Sequence, residues 1–203
     1  MDGKKKKGNH MKKVVEIAHE MIRRANIGPG CAADFTLGQG FDCELLMSMD
    51  QIQHVFAFDV QKEAIVSART YLQDKKGYDK VEFIMDGHEH CDRYIHQPLQ
   101  IAVFNFGYFP KGDHQITTQL ETSITAVKQA LKLLDVHGLL VLVLYPGHAE
   151  GSRESDYFDS WIAALPSRLY DCASIHMCNK KDCPYLLVIE RKRKDPAEDN
   201  GFV

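Results

Sequence analysis

The chain has 203 residues, 44% of them hydrophobic, enough to bury one core without disulfide staples. A formal net charge of −3 excludes the global basic field of a non-specific nucleic-acid binder, so any RNA partner needs a local patch. Six cysteines without framework spacing, with no signal peptide or long apolar segment before them, read as reduced thiols of a cytoplasmic protein with no membrane partner.

Residues 1–10, MDGKKKKGNH, are a charge run without apolar periodicity, and 193–203 are similarly polar. Both read as disordered tails around a single domain over 11–192; the lysine run could meet RNA phosphate, but a solvated tail is the simpler account. Val14, Ile17, Ala18, Met21 and Ile22 recur at helical spacing and predict a helix over 11–25, closed by NIGPG. Apolar runs at 31–35, 55–59, 81–85, 101–105 and 138–145 predict five buried strands, and 170–178 and 185–191 predict two more. Helical patterns fall between them at 43–49, 62–76, 117–134 and 156–165, with Thr117 or Thr118 as cap of the third. This alternation predicts an α/β fold: a seven-stranded, mostly parallel sheet with helices on both faces, of the Rossmann-like kind.

Ligands of such sheets sit beyond the carboxyl ends of the strands, where the strand order reverses. The polar residues follow strand ends accordingly. DFTLGQGFD (34–42) follows the first strand, Asp59 and Gln61 the second, Asp86 to His88 the third, and NFGYFP (105–110) the fourth. Gly38 and Gly40 lack the third glycine of the dinucleotide fingerprint, and position 43 is Cys. A short loop flanked by Asp34 and Asp42 suits a zwitterionic amino-acid tail, because either carboxylate can pair with an ammonium and would repel a pyrophosphate. Thr36 and Gln39 belong to the same loop. Asp59, about twenty residues on, is spaced to accept from ribose hydroxyls with Gln61 beside it, and Asp86 can accept from an adenine amino group with His88 alongside. A capping role is the simpler account of any one acidic residue. Together the set describes S-adenosylmethionine, leaving S-adenosylhomocysteine as product.

The fourth strand end carries the chemistry. Asn105 Oδ1 can accept from an N–H and aim the nitrogen lone pair at a methyl group, while Tyr108 can stack on a base or stabilise a cationic amine. NFGYFP resembles the [ND]PP[YF] signature of amino methyltransferases, with Phe106 and Gly107 in place of the prolines. Methyl transfer from a sulfonium is a direct displacement that needs alignment and proton removal but no covalent nucleophile. His176, Cys178 and Cys183 lack a CxxC pair, so no metal is expected.

Several stretches in order resemble the small bacterial class I methyltransferases first described as rRNA methylases and associated with 5-aminomethyl-2-thiouridine at the tRNA wobble position. DFTLGQGFD is similar to a DATxGxGxDT pattern, FDVQ to DIQ, DGHEH to DxHQN, NFGYFPKGDHQITTQ to NLGYLPGGDKxITT, and YPGHAEG (145–151) to Y-x-GH-x-EG, while NKKDCPYLLVIERK resembles the family ending. The likeness spans residues 11–192, with Phe35, Phe41, Cys43, Glu89, His90 and Lys111 departing from the pattern. It implies methylation of the aminomethyl nitrogen to methylaminomethyl, on a tRNA bound at its anticodon region. A primary alkylamine is protonated at neutral pH, so a proton acceptor is required; Asp113 and His148 are the candidates, His148 as base or orienter. A homodimer stays open. So do an rRNA methyltransferase and a small-molecule amine N-methyltransferase; a non-catalytic adaptor would have lost Asn105 or Asp59, and an NAD-dependent reductase suits the short glycine loop poorly.

Overall fold

The computed structural model describes residues 13–107 and 118–195. The predicted tail at 1–10 and most of that at 193–203 lie outside them, as do Tyr108, Lys111, Asp113 and Thr117.

Seven strands form one sheet in the order β3-β2-β1-β4-β5-β7-β6. They run Gly30–Asp34 (β1), Ile52–Phe58 (β2), Val81–Ile84 (β3), Leu99–Asn105 (β4), Leu134–Leu144 (β5), Tyr170–Ile175 (β6) and Tyr185–Arg191 (β7). β1 to β5 are mutually parallel, and β7 lies antiparallel between β5 and β6. Successive residues of a strand face opposite sides. Ala33, Phe104 and Leu142 therefore join the core under α4 (Leu120–Leu133) and α5 (Ala149–Ala163), while Ala32, Val103 and Val141 join the core under α1 (Val14–Arg24), α2 (Phe41–Ser48) and α3 (Lys62–Leu72). Covered on both faces, β4 consists of apolar residues almost throughout, which is why it is legible as a run rather than an alternation. The result is the seven-stranded, mostly parallel sheet with helices on both faces that the sequence predicts.

Element ends move where polar residues do unusual work. α5 begins at Ala149, seven residues before the predicted start, because its inward face in the first two turns is Gly151, Glu154 and Ser155, which carry no apolar period. β5 starts four residues early: α4 passes into it at Leu134 without a loop, and the extra turn is absorbed by His137 at φ 67° and by Gly138. A Cβ on Gly138 would stand 2.9 Å from the Leu99 carbonyl oxygen. Arg191, at the end of β7, donates from Nη1 to the carbonyls of Lys132 and Leu134 at 3.2 and 2.7 Å, satisfying acceptors that the end of α4 leaves open. Thr118 does not cap α4. The N-cap is Gln119, and the Thr118 side chain serves Gly107 and Glu154 instead.

A column of rings crosses the core below the strand ends. Phe35 stacks on Phe104 with centroids 4.4 Å apart and on Phe58 at 5.5 Å; Phe104 continues to Phe106, and Phe106 to Phe158. Phe104 is wholly buried. Its replacement by Ala should cost about 3–5 kcal/mol, read as an earlier urea midpoint at unchanged slope.

Candidate active site

β1 is the strand at which the connections reverse: β2 lies on one side of it and β4 on the other. Their carboxyl ends are stitched together, since the Phe35 N–H donates to the Val103 carbonyl at 2.9 Å and the Asn105 N–H donates to Thr36 Oγ1 at 2.7 Å. Above this seam opens a cleft of about 650 Å³, within the usual range of small-molecule sites.

Thr36, Gly38, Gln39, Asp42, Asp59 and Gln61 all reach this cleft, as do Asp86, His88, Asn105 and His148. Five separate strand ends thus meet at one cavity. Two of the predicted residues among those described do not line it. Asp34 is fully buried beneath the loop, where its Oδ1 accepts from the Thr36 N–H at 3.1 Å. Burial first, then the charge of Asp42, hold its carboxyl well above the usual carboxylate range. Wholly buried, it shapes the loop from below and is not a surface partner for an ammonium. Gly40 is structural: at φ 87° it starts α2, and a Cβ there would press on Leu72 and Ala68 of α3 at 3.1 and 3.3 Å.

The glycine loop is held by the second strand end. Asp59 Oδ2 accepts from the Gly38 N–H at 2.9 Å, and Oδ1 accepts from the Gln61 N–H at the same distance. Burial raises the Asp59 pKa, opposed by these two amides and that of Val60. Each oxygen keeps acceptor capacity beyond its one backbone bond.

At the third strand end the roles of Asp86 and His88 separate. Asp86 Oδ1 accepts from the Gly87 N–H and faces His90 Nδ1 at 2.9 Å, and Oδ2 accepts from the Tyr94 hydroxyl at 2.9 Å. The bond to His90 leads in holding its carboxyl below the usual range. Arg93 Nη1 also lies 3.9 Å from Oδ2, so both oxygens are engaged chiefly in organising their own turn. His88 lies 3.1 Å through Nδ1 from the Phe35 carbonyl, an acceptor, so Nδ1 carries the proton and Nε2 the lone pair. Burial lowers its pKa, which keeps the ring neutral.

Asn105 is oriented by a residue assigned from sequence to the donor. Its Nδ2 donates to Asp42 Oδ2 at 3.2 Å, and Asp42 Oδ1 faces His19 Nε2 at 2.5 Å. A carboxylate accepts only, which fixes the amide with Nδ2 toward Asp42 and Oδ1 turned away from it as a free acceptor. With both oxygens engaged, Asp42 acts on Asn105 as much as on any ligand.

His148 is the N-cap of α5. Its Nδ1 accepts from the Gly151 N–H at 3.0 Å, so the neutral ring carries its proton on Nε2. The lone pair that a base would use is spent on the cap. His148 therefore meets the cleft as an N–H donor, an orienter rather than a proton acceptor. Gly151 is obligatory here, because a Cβ would come within 2.0 Å of the Tyr145 carbonyl oxygen and 2.9 Å of the His148 ring.

Sequence reasoning missed three participants. His19 sits within the amphipathic α1, where a lone histidine carries no signal; Glu154 looks like a surface helix charge yet is wholly buried, accepting from Ser123 at 2.6 Å and Thr118 at 3.2 Å. Tyr145, quoted only within YPGHAEG, lines the cleft. Among the described residues, no group of three or more His, Cys, Asp or Glu side chains is placed to hold a metal ion, and no helix is long and apolar enough to cross a membrane.

Comparison with known proteins agrees with this architecture. A family model described as "Putative rRNA methylase" matches residues 55–191. The chain is 28% identical over 192 residues, 89% of its length and 70% of the relative's, to the chloroplastic tRNA (mnm(5)s(2)U34)-methyltransferase of Arabidopsis thaliana. Among solved structures, a "putative rRNA-methylase" from Clostridium thermocellum superposes with a TM-score of 0.83 at 31% identity, covering 90% of this chain and 99% of that one. A "putative methyltransferase" from Streptococcus mutans in complex with SAH gives 0.79 at 28% identity with the same coverage. The chain belongs to the "Putative rRNA methylase" family, methyltransferases of the class I fold.

Proposed function

We propose that the protein transfers the methyl group of S-adenosylmethionine to the aminomethyl nitrogen of 5-aminomethyl-2-thiouridine at the wobble position of tRNA, forming methylaminomethyl. The observation that carries this reading is the Asn105 amide, locked by Asp42 with Oδ1 as a free acceptor at the floor of the cleft. An acceptor there suits a nitrogen nucleophile bearing N–H groups. The likeness to the plant tRNA (mnm(5)s(2)U34)-methyltransferase supports the choice of amine and of tRNA.

The residues of the cleft fit the donor. Asp59 retains acceptor capacity for ribose hydroxyls, and the His88 Nε2 lone pair suits an adenine amino group better than the committed oxygens of Asp86. Thr36, Gly38 and Gln39 give the methionine tail a wall of backbone and small polar groups. When bound, the donor supplies an electrophilic methyl on a sulfonium. Asn105 Oδ1 accepts one N–H of the amine and aims its lone pair, which is positioning rather than covalent catalysis. His148 Nε2–H can hold a substrate oxygen. Tyr108 and Asp113 belong to this proposal from their sequence alone, Tyr108 as a stacking platform and Asp113 as a second polar group near the amine.

Incubation with S-adenosylmethionine and tRNA carrying 5-aminomethyl-2-thiouridine should add one methyl to that nucleoside, read by mass spectrometry after digestion; methylation of rRNA or a free amine instead would overturn the substrate. Asn105→Ala should lower kcat by about 100-fold with donor affinity nearly unchanged, whereas Asp59→Ala should weaken donor binding by roughly 10-fold or more in calorimetry. Equal donor affinity in the Asp59 variant removes its ribose role.

His88 gives a pH prediction. Its folded pKa is lowered by burial, so below the unfolded value of about 6.5 the unfolded chain takes up more protons and stability falls with falling pH. His88→Gln should flatten that acid-side loss, and the His88 ring signal should titrate below the ordinary range by NMR. Titration at or above that range contradicts the neutral acceptor.

A further inference from the structure

The proposed acceptor amine arrives protonated, the His148 lone pair is committed to a helix cap, and Asp113 lies outside the described residues. We infer that Asp42, held in place by His19, takes the proton from the substrate amine. The inference rests on the proposed amine substrate, and it assigns a role to His19 of α1.

The geometry carries it. Asp42, in the first turn of α2, lines the cleft while only 7% exposed, and His19 reaches its Oδ1 from α1 at 2.5 Å. Asp42 Oδ2 is the atom to which Asn105 Nδ2 donates, so the carboxylate and the amide that holds the amine are neighbours on the wall of one cleft. The imidazole is 17% exposed and the carboxylate 9%. Asp34, Cys43 and Tyr145 also face Asp42, and Glu44, itself tied to Lys75 and Tyr71, faces His19. Asp59 faces Asp34 in turn.

The step balances without another reactant. The ammonium N–H bond breaks and its proton passes to the Asp42 carboxylate, which keeps the His19 Nε2–H bond on Oδ1; the freed nitrogen lone pair forms the N–CH3 bond as the S–CH3 bond breaks, its electrons staying on sulfur. The proton leaves Asp42 for solvent through the cleft once the product has gone. Asp42 is the catalytic residue that meets the amine, and His19 a positioning residue acting through it.

The test separates a base from a structural contact. Asp42→Asn removes the carboxylate and should lose methyl transfer to the tRNA by roughly 100-fold near neutral pH, recovering at least tenfold relative to wild type as pH approaches 9.5, where the amine itself sheds the proton. His19→Ala removes the N–H donor that holds Asp42 and should lose about tenfold, whereas His19→Gln keeps a donor and should stay within about threefold of wild type. Each His19 variant should bind S-adenosylhomocysteine within about threefold of wild type by calorimetry. A deficit in Asp42→Asn that is constant across pH, or a wild-type rate in that variant, overturns the inference while the tRNA reading stands. Wild-type protein that methylates no amine overturns both.

Discussion

The reversal of strand connections at β1 is the constraint from which the rest follows. β1 and β4 are neighbours, yet the helix after β1 packs on one face of the sheet and the helix after β4 on the other. No single helix can cover the ends of both strands. The gap becomes the cleft, and its floor is closed by two hydrogen bonds between the strand ends, from Phe35 to Val103 and from Asn105 to Thr36. Around that floor each neighbouring strand contributes polar groups from just beyond its carboxyl end, because only those residues can reach.

The site has a recurring economy in which one side chain fixes another. Asp59 holds Gly38, Asp86 holds its own turn through Tyr94 and His90, His148 holds Gly151, and Asp42 holds Asn105. Each such bond removes a rotamer choice before any ligand arrives, and that preorganisation cuts the cost of aligning two reactants. It also decides which lone pairs remain. His88 keeps Nε2 because Phe35 takes the Nδ1 proton; His148 does not, because Gly151 takes its lone pair. Two histidines of similar sequence standing therefore have opposite hydrogen-bonding roles.

The strands were legible because parallel strands buried on both faces are continuous apolar runs, and β4 is the clearest instance. The placement of polar groups was legible because open α/β sheets put ligands at strand ends. What was not legible lay in pairings between elements. His19 and Asp42 are 23 residues apart and meet only because α1, packed on β5 and β7, reaches the start of α2, and Asp34 is buried at the end of β1 while Asp42 lines the cleft from α2, a distinction that composition does not carry. The early start of α5 was hidden for a related reason: its buried face is polar, with Glu154 satisfied by Ser123 and Thr118 from another part of the chain. A hydrophobic period cannot announce a helix whose inner face is held by hydrogen bonds.

If Asn105 aims the amine at the donor methyl, S-adenosylhomocysteine in a crystal structure lies across the β1–β4 seam with its ribose hydroxyls on Asp59, its adenine amino group on His88 Nε2 and its sulfur beside Asn105 Oδ1. An adenine held by Asp86, or a sulfur turned away from Asn105, refutes this mode of methyl transfer.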